Sequence, residues 1–278
     1  MKPLSLYVLI STIDNGIHQV PEVLLPPEDG VFYVVSWQQT TPSQYVAPPQ
    51  ELTGRKDVVI SPLEGRGLCR NRNHAIEVAI SLQEDALEDA VFIIADDDER
   101  IEKDAFKNIR ELYSRYPKLD VSLFRMKDID NGCLLKRYPK TMTSFALCPR
   151  YYYPSSVEMT FRSRLSLMGI RFDERFGIGS EKLAAGEEDV FLTDALRHGL
   201  QVWICPHVLC STKAQTTGSR VLDKKVLRSK GAVYGYRLPL IKAFFRSCRE
   251  ALSLAVRNRQ SFFLIFRNIW YGVKYIRR

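Results

Sequence analysis

Apolar runs punctuate the first third of the chain, each closed by polar or turn-forming residues. Leu4 to Ile10 runs into Ser11 and Thr12, Val31 to Val35 runs into Ser36-Trp37, and Asp57-Val58-Val59-Ile60 is shorter. Runs of this length, rich in Val, Ile and aromatic residues, predict strands. From Arg70 to Leu82 the period changes, with Ala75, Ile76, Ala79, Ile80 and Leu82 at helical spacing. A continuous run, Val91-Phe92-Ile93-Ile94-Ala95, predicts a strand buried on both faces. Asp104 to Tyr116 reads as a helix, with Phe106, Ile109, Leu112 and Tyr113 on one side and Pro117 as its stop. Residues 38–55, rich in Gln, Thr and Pro, read as a loop. Strands alternating with helices predict a mainly parallel sheet covered by helices on both faces.

Beyond residue 120 the pattern changes to mixed α+β. Val121 to Met126 and Leu134 to Tyr138 flank Asp130-Asn131-Gly132, a hairpin signal. Glu187 to His198 reads as a helix stopped by Gly199. Gln201 to Cys205 reads as a strand ending at Pro206-His207. Two amphipathic helices are predicted over 240–256 and 262–276. The expected organisation is one α/β domain over residues 1–218 and a helical appendage over residues 219–278.

Charge sharpens that division. The 278 residues carry a formal net charge of +8. Residues 219–278 hold 15 Lys and Arg against 2 Asp and Glu, which leaves 25 against 30 in residues 1–218. The acidic main domain argues against a nucleic-acid partner, and the basic appendage points to a membrane surface. Large aromatics among cations over 240–276 suit a helix lying in the membrane interface. No segment reaches the roughly 18 consecutive apolar residues of a membrane span. Leu4 to Ile10 is read as a core strand rather than a signal sequence, because Asp14 follows closely. The six cysteines are scattered, which predicts free thiols in an intracellular chain. The expected location is therefore cytoplasmic, with peripheral contact to the inner face of the membrane through the appendage.

The chemistry concentrates in three places. Asp96-Asp97-Asp98-Glu99 follows the buried run at 91–95. Carboxylates crowded at a strand end repel one another, and a hard divalent cation such as Mg²⁺ or Mn²⁺ would relieve this. A calcium loop is excluded, because Ile101 and Lys107 stand where Gly and Glu are needed. Asp98 is the expected metal ligand, with Asp96 sharing the metal or facing a nucleotide alongside Asp97. Upstream, Gly65-Arg66-Gly67-Leu68-Cys69-Arg70-Asn71-Arg72-Asn73 opens a helix after a Gly-rich turn, where backbone N–H groups and guanidiniums favour phosphate. Arg70 and Arg72 are two positions apart, so one of them could instead pair with the acidic run. Downstream, Gly186-Glu187-Glu188-Asp189 places acids at a helix start, where they stabilise the helix or serve as a general base. The glycine-punctuated segment Phe172 to Ser180 reads as a mobile loop. His207 is a candidate third metal ligand. Ser11, Thr12 and Asp14 close the first strand, where ligands of parallel sheets bind.

Together these residues resemble family 2 glycosyltransferases, inverting enzymes with a nucleotide-sugar-binding fold of the GT-A type. Gly67 to Asn73 is similar to the family's G-x-S-x-x-R-N segment, with Cys69 where Ser is usual. Asp96-Asp97-Asp98 is similar to its D-x-D, and Glu188-Asp189 to its E-D motif, whose Asp is the usual catalytic base. Phe172 to Leu192 resembles the acceptor segment of bacterial galactosyltransferase-like members. The likeness covers roughly residues 4–215. Two strand ends depart from the pattern: Ser11-Thr12-Ile13-Asp14 replaces a Pro-Thr-Tyr-Asn-like run, and Ser36-Trp37-Gln38 stands where an Asp usually reads the base.

The resemblance implies metal-dependent hexosyl transfer from a UDP-sugar to a hydroxyl of a glycan or lipid-linked acceptor in bacterial surface polysaccharide synthesis. Asp189 and Glu188 would be catalytic. Ser11, Thr12, Asp14, Arg66, Arg70, Arg72, Asp96 and Asp97 would hold the nucleotide sugar, and Asp96, Asp98 and His207 the Mn²⁺ or Mg²⁺. The same parts would also serve a nucleotidyltransferase, and a non-catalytic basic binding module is a third alternative.

Overall fold

The computed structural model describes residues 3–41, 46–83, 89–149, 151–213 and 221–278. The strands are β1 (Leu6–Ile13), β2 (Val31–Gln39), β3 (Val58–Glu64), β4 (Val91–Asp96), β5 (Arg100–Ile101), β6 (Leu119–Asp128), β7 (Thr143–Ser144), β8 (Met159–Arg162) and β9 (Gln201–Thr212). The helices are α1 (Gln50–Thr53), α2 (Leu68–Ser81), α3 (Ala105–Arg115), α4 (Arg164–Leu167), α5 (Glu187–Arg197), α6 (Lys224–Arg237), α7 (Leu240–Asn258) and α8 (Phe262–Ile276). Residues 42–45 of the expected loop and the expected domain boundary at 218/219 lie outside the described residues.

The chain divides into two compact units. The first comprises Met1–Arg66, Arg70–Arg171 and Asp194–Ala214; the second comprises Gly67–Cys69, Phe172–Thr193 and Gln215–Arg278.

The first unit is built on one sheet, in the order β3-β2-β1-β4-β8-β6-β9-β5, with β7 paired to β9. Strands β3, β2, β1 and β4 are mutually parallel, as the alternation of strands and helices predicts. Strand β8 joins β4 to β6 antiparallel on both sides, and β6 runs parallel to β9. On one face, Leu6, Val8, Ile10, Tyr33 and Ile93 pack with Phe106, Ile109 and Tyr113 of α3 in a continuous core. The other face is graded along the strands. Phe32, Tyr7, Phe92 and Phe161 form an aromatic row across β2, β1, β4 and β8. Val34, Leu9 and Ile94 follow in register. At the carboxyl edge the row becomes polar: Ser61, Ser36, Ser11 and Asp96 are in register across four strands. Helix α2 covers this row, with Asn71 Nδ2 donating to the Thr12 carbonyl at 2.9 Å. His74 Nε2 meets Ser61 Oγ at 2.9 Å.

Two expected elements differ. No strand forms over Leu134–Tyr138; the segment makes a single bridge, Lys127 to Leu134. Its polar residues turn inward instead. Lys136 Nζ pairs with buried Glu158 at 2.9 Å, and Tyr138 donates to the same carboxylate at 2.5 Å. Tyr152 donates to its other oxygen at 2.8 Å. Strand β9, expected to stop at Cys205, continues to Thr212. Pro206 sits where the β6–β9 register slips, between Ile204 and Val208, a bulge position that tolerates a residue without an N–H.

In the second unit α6 was not foreseen, because Gly231 and Gly235 interrupt its apolar pattern. Asp223 caps it, accepting from the backbone N–H groups of Lys225 and Val226 at 2.7 and 3.2 Å. The glycines are there for close approach. A Cβ on Gly231 would lie 1.7 Å from the Ile269 carbonyl oxygen of α8, and one on Gly272 would lie 1.8 Å from that of Arg228. Helices α7 and α8 match their predicted spans closely and are joined through Arg259 in the left-handed conformation.

Candidate functional site

The acidic run begins in the last residue of β4, at the carboxyl edge of the parallel strands. Its members are separated by the strand's alternation. Asp96 faces α2, where Arg72 Nη2 reaches both of its oxygens at 3.0 and 3.3 Å. Arg72 is 1% exposed, so its guanidinium lies behind the carboxylate. The two-residue spacing thus splits the arginines: Arg72 faces inward, while Arg66 and Arg70 are exposed. The Arg70 guanidinium lies against Gly65, whose φ of 97° suits glycine.

Asp97 points to the opposite face. It accepts from Thr12 Oγ1 at 2.5 Å. Burial pushes its carboxyl up to about 6; Asp96 and Asp98 add to the rise, and the Thr12 hydrogen bond opposes it. Gly16 leaves room beside it: a Cβ there would sit 2.2 Å from Asp97 Oδ2 and would displace the carboxylate. Asp98 is exposed, and its carboxyl is raised by partial burial and by Asp96, while Lys213 lowers it. Glu99 is buried, and burial holds its carboxyl well above the usual range, with Asp96 and Asp98 adding to the effect. The run is thus a crowded carboxylate cluster whose charges the fold leaves only partly compensated.

Asp14 is engaged otherwise. With φ at 47° it accepts from Thr40 N at 2.8 Å and Thr40 Oγ1 at 2.7 Å, and its carbonyl accepts from Trp37 Nε1 at 2.9 Å. These bonds hold its carboxyl below the ordinary value, the Thr40 hydroxyl contributing most and the charge of Arg66 adding to it. Ser11 and Thr12 are both buried. The Ser11 and Ser36 hydroxyls find no hydrogen-bond partner among the described residues.

His207 lies inside strand β9. Sequence reasoning placed it beyond a strand end, but β9 continues five residues past it to Thr212. The strand's end, at Cys210 and Ser211, is what pairs with β5 after the run. Lys213, just beyond that end, is the charge that reaches Asp98, and the sequence offered no cue for it. Among the described residues no group of three His, Cys, Asp or Glu side chains is arranged to hold a metal ion. The acidic run nevertheless fits Mg²⁺ or Mn²⁺ in kind. Its donors are hard carboxylate oxygens, and Mg²⁺ usually takes one or two of these plus waters and substrate phosphates.

The second unit carries the other motif. Glu187, Glu188 and Asp189 form the first turn of α5, after Gly186 at φ 96°. Asp189 is half-buried, and Arg237 Nη1 of α6 reaches its carboxylate at 2.8 Å. Burial raises the Asp189 carboxyl, and Arg237 opposes the rise. Arg237 was read from sequence only as one of the appendage's cations. The segment expected to be a mobile loop is anchored: Phe172 and Phe176 are buried, and Phe172 stacks on Phe191 at 4.9 Å. The backbone N–H of Leu68 donates to the Ile178 carbonyl at 2.9 Å. Cys69 is buried against Gly177, where a Cβ would meet its Sγ at 3.0 Å.

No protein-family model matches the chain, and no curated protein matches its sequence. Its fold is similar to that of S. aureus TarS. A crystal structure of TarS 1–349 matches at a TM-score of 0.56 and 16% identity, over 83% of this chain and 64% of that one. A second, of TarS 1–349 in complex with UDP-GlcNAc, matches at 0.55 and 16%, over 87% and 70%. A third TarS structure matches at 0.56, with this chain spanning 39% of its length. The chain thus has a GT-A-like α/β fold, with a mostly parallel curled sheet whose carboxyl edge carries the acidic run.

Proposed function

We propose that this protein is a family 2 type glycosyltransferase that moves a hexose from a UDP-sugar to a hydroxyl of a glycan or lipid-linked acceptor. The observation that carries this reading is the Asp96–Asp98 cluster at the carboxyl end of β4 in a GT-A-like sheet, with the carboxyls of Asp97 and Asp98 raised by burial first and by their neighbours' charge second. The UDP-GlcNAc in one TarS crystal supports a UDP-sugar as donor. Asp98 and Asp96 would hold Mn²⁺ or Mg²⁺, which when bound supplies positive charge against the leaving diphosphate. Arg72 holds Asp96 in place from behind. Exposed Arg66 and Arg70 supply guanidiniums for phosphate oxygens. Asp189 accepts the proton of the acceptor hydroxyl while that oxygen bonds to the anomeric carbon and the bond from that carbon to the diphosphate breaks. Burial suits Asp189 to this role, because a raised carboxyl is a stronger base. Glu188 stands beside it in the same turn.

The test is release of UDP from UDP-sugars with Mn²⁺ present, for the wild type, Asp98→Ala and Asp189→Asn. Asp189→Asn is expected to cost about 10² to 10⁴ in kcat, the usual worth of a general base. A near-wild-type rate for that variant removes the base assignment. Pyrophosphate in place of UDP would establish nucleotidyl transfer instead.

A further inference from the structure

Helix α7 has three faces, one more than a helix packed on a water-soluble core needs. Ala243, Ser247, Ala251, Leu254 and Ala255 are buried in the second unit. Lys242, Arg246, Arg249 and Arg257 are exposed along one flank. Between them, at 100° per residue, runs a stripe of apolar side chains that also faces outward. Ile241 is 72% exposed, Phe245 65% and Val256 71%. Phe244 carries this apolar surface toward α8, meeting Phe266 and Trp270 edge-on at 5.8 and 5.5 Å. At the start of α8, Phe263 is 80% exposed. Scattered exposed apolar residues are ordinary, but an aromatic and aliphatic stripe continuous along one helix is not.

We propose that the α7–α8 face of this protein docks onto an anionic lipid surface, with the Ile241–Phe245–Val256 stripe entering the interface and the basic edge meeting acidic headgroups. Charge selects this occupant. Among residues 219–278 the only acids are Asp223 and Glu250, against 15 cations. Asp223 caps α6, and Glu250 pairs with Lys230 at 2.7 Å. A second copy seated symmetrically on this face would bring two basic edges together with no unpaired acid from residues 221–278 between them. A bilayer surface of negative headgroups over hydrocarbon complements both edge and stripe. No described helix is long and apolar enough to cross a membrane, so the contact is one of lying on the surface. Lipid binding by this face requires no sugar transfer, so it is measurable without turnover.

The test is flotation of the full chain with vesicles of phosphatidylcholine, with and without phosphatidylglycerol. The protein is expected to float with the anionic vesicles only, and less at high salt. Ile241→Glu with Phe245→Glu should weaken partition about tenfold or more, because the apolar entry is lost. Lys242→Gln, Arg246→Gln and Arg249→Gln together should weaken it about a hundredfold, near a factor of five per cation. All five side chains are solvent-exposed, and unchanged thermal unfolding of the variants confirms that folding is intact. Absence of flotation, or flotation indifferent to lipid charge and to both sets of substitutions, overturns the proposal. So does a lipid-free dimer, seen by light scattering, that Phe245→Glu converts to monomer.

Discussion

Arg237 and Asp189 show how one side chain sets the working range of another. Burial raises the Asp189 carboxyl, and the guanidinium 2.8 Å away holds it down. Removing the cation therefore raises Asp189 further. The general base proposed at Asp189 must be unprotonated, so on that proposal the acidic limb of the rate profile should move to higher pH. For Arg237→Gln we expect a displacement in that direction, modest because Arg237 is partly exposed. Activity well above that limb should approach the wild-type value. A purely structural role for Arg237 predicts an equal loss at every pH, and kcat/KM measured across pH separates the two. Ser11 offers a second residue-scale test. Its buried hydroxyl has no partner among the described residues, so the fold gains little from it. Ser11→Ala should leave thermal stability unchanged or raise it by about 1 kcal/mol, while increasing KM for the nucleotide sugar. A loss of stability with unchanged KM would make Ser11 a structural residue.

At the scale of elements, strands β1, β2 and β4 and helices α2 and α3 were legible because each is a short run with one clear period. The acidic run was legible for the same reason, since four carboxylates after a buried strand have no packing explanation. Long-range partners were hidden. Nothing near Lys136 in sequence announces Glu158, and that buried carboxylate is what draws Lys136 and Tyr138 away from a hairpin. Pro206 suggested a strand end and instead marks a bulge, which misplaced His207. Helix α6 was missed because Gly231 and Gly235 look like breakers, when their purpose is contact with α8. That purpose can be tested. Gly272→Ala puts a methyl 1.8 Å from a backbone carbonyl that cannot swing aside, and should cost about 3 kcal/mol or more. Gly132→Ala is the control: φ is 69° but nothing lies within 4 Å, so backbone strain of about 1 to 2 kcal/mol is the whole cost. Chemical denaturation that ranks the two equally would show that α6 and α8 tolerate separation.

For the whole molecule, the sparse ligation of the acidic run has a thermodynamic consequence. Among the described residues no third His, Cys, Asp or Glu completes a metal site with Asp96 and Asp98. Asp96 is already shared with Arg72, and Asp97 is held by Thr12. In the proposed mechanism a divalent ion held by one or two carboxylates and water would have little affinity on its own and would take its remaining oxygens from a diphosphate. Ion and nucleotide should therefore bind as a unit. A ligand that binds only the folded state stabilises it by an amount that grows with the logarithm of its saturation, about 2.7 kcal/mol at one hundred times Kd. We expect Mn²⁺ alone to move Tm little, UDP with EDTA to move it little, and the two together to raise it well beyond the sum. Asp98→Ala should abolish the excess while leaving the unliganded Tm near wild type, because the Asp98 side chain is exposed and its loss relieves repulsion within the run. Full stabilisation by UDP in EDTA would mean that Arg66 and Arg70 hold the diphosphate without an ion. Full stabilisation by Mn²⁺ alone would mean that the protein supplies a complete metal site, and the assignment of Asp98 and Asp96 as its only protein ligands would fall.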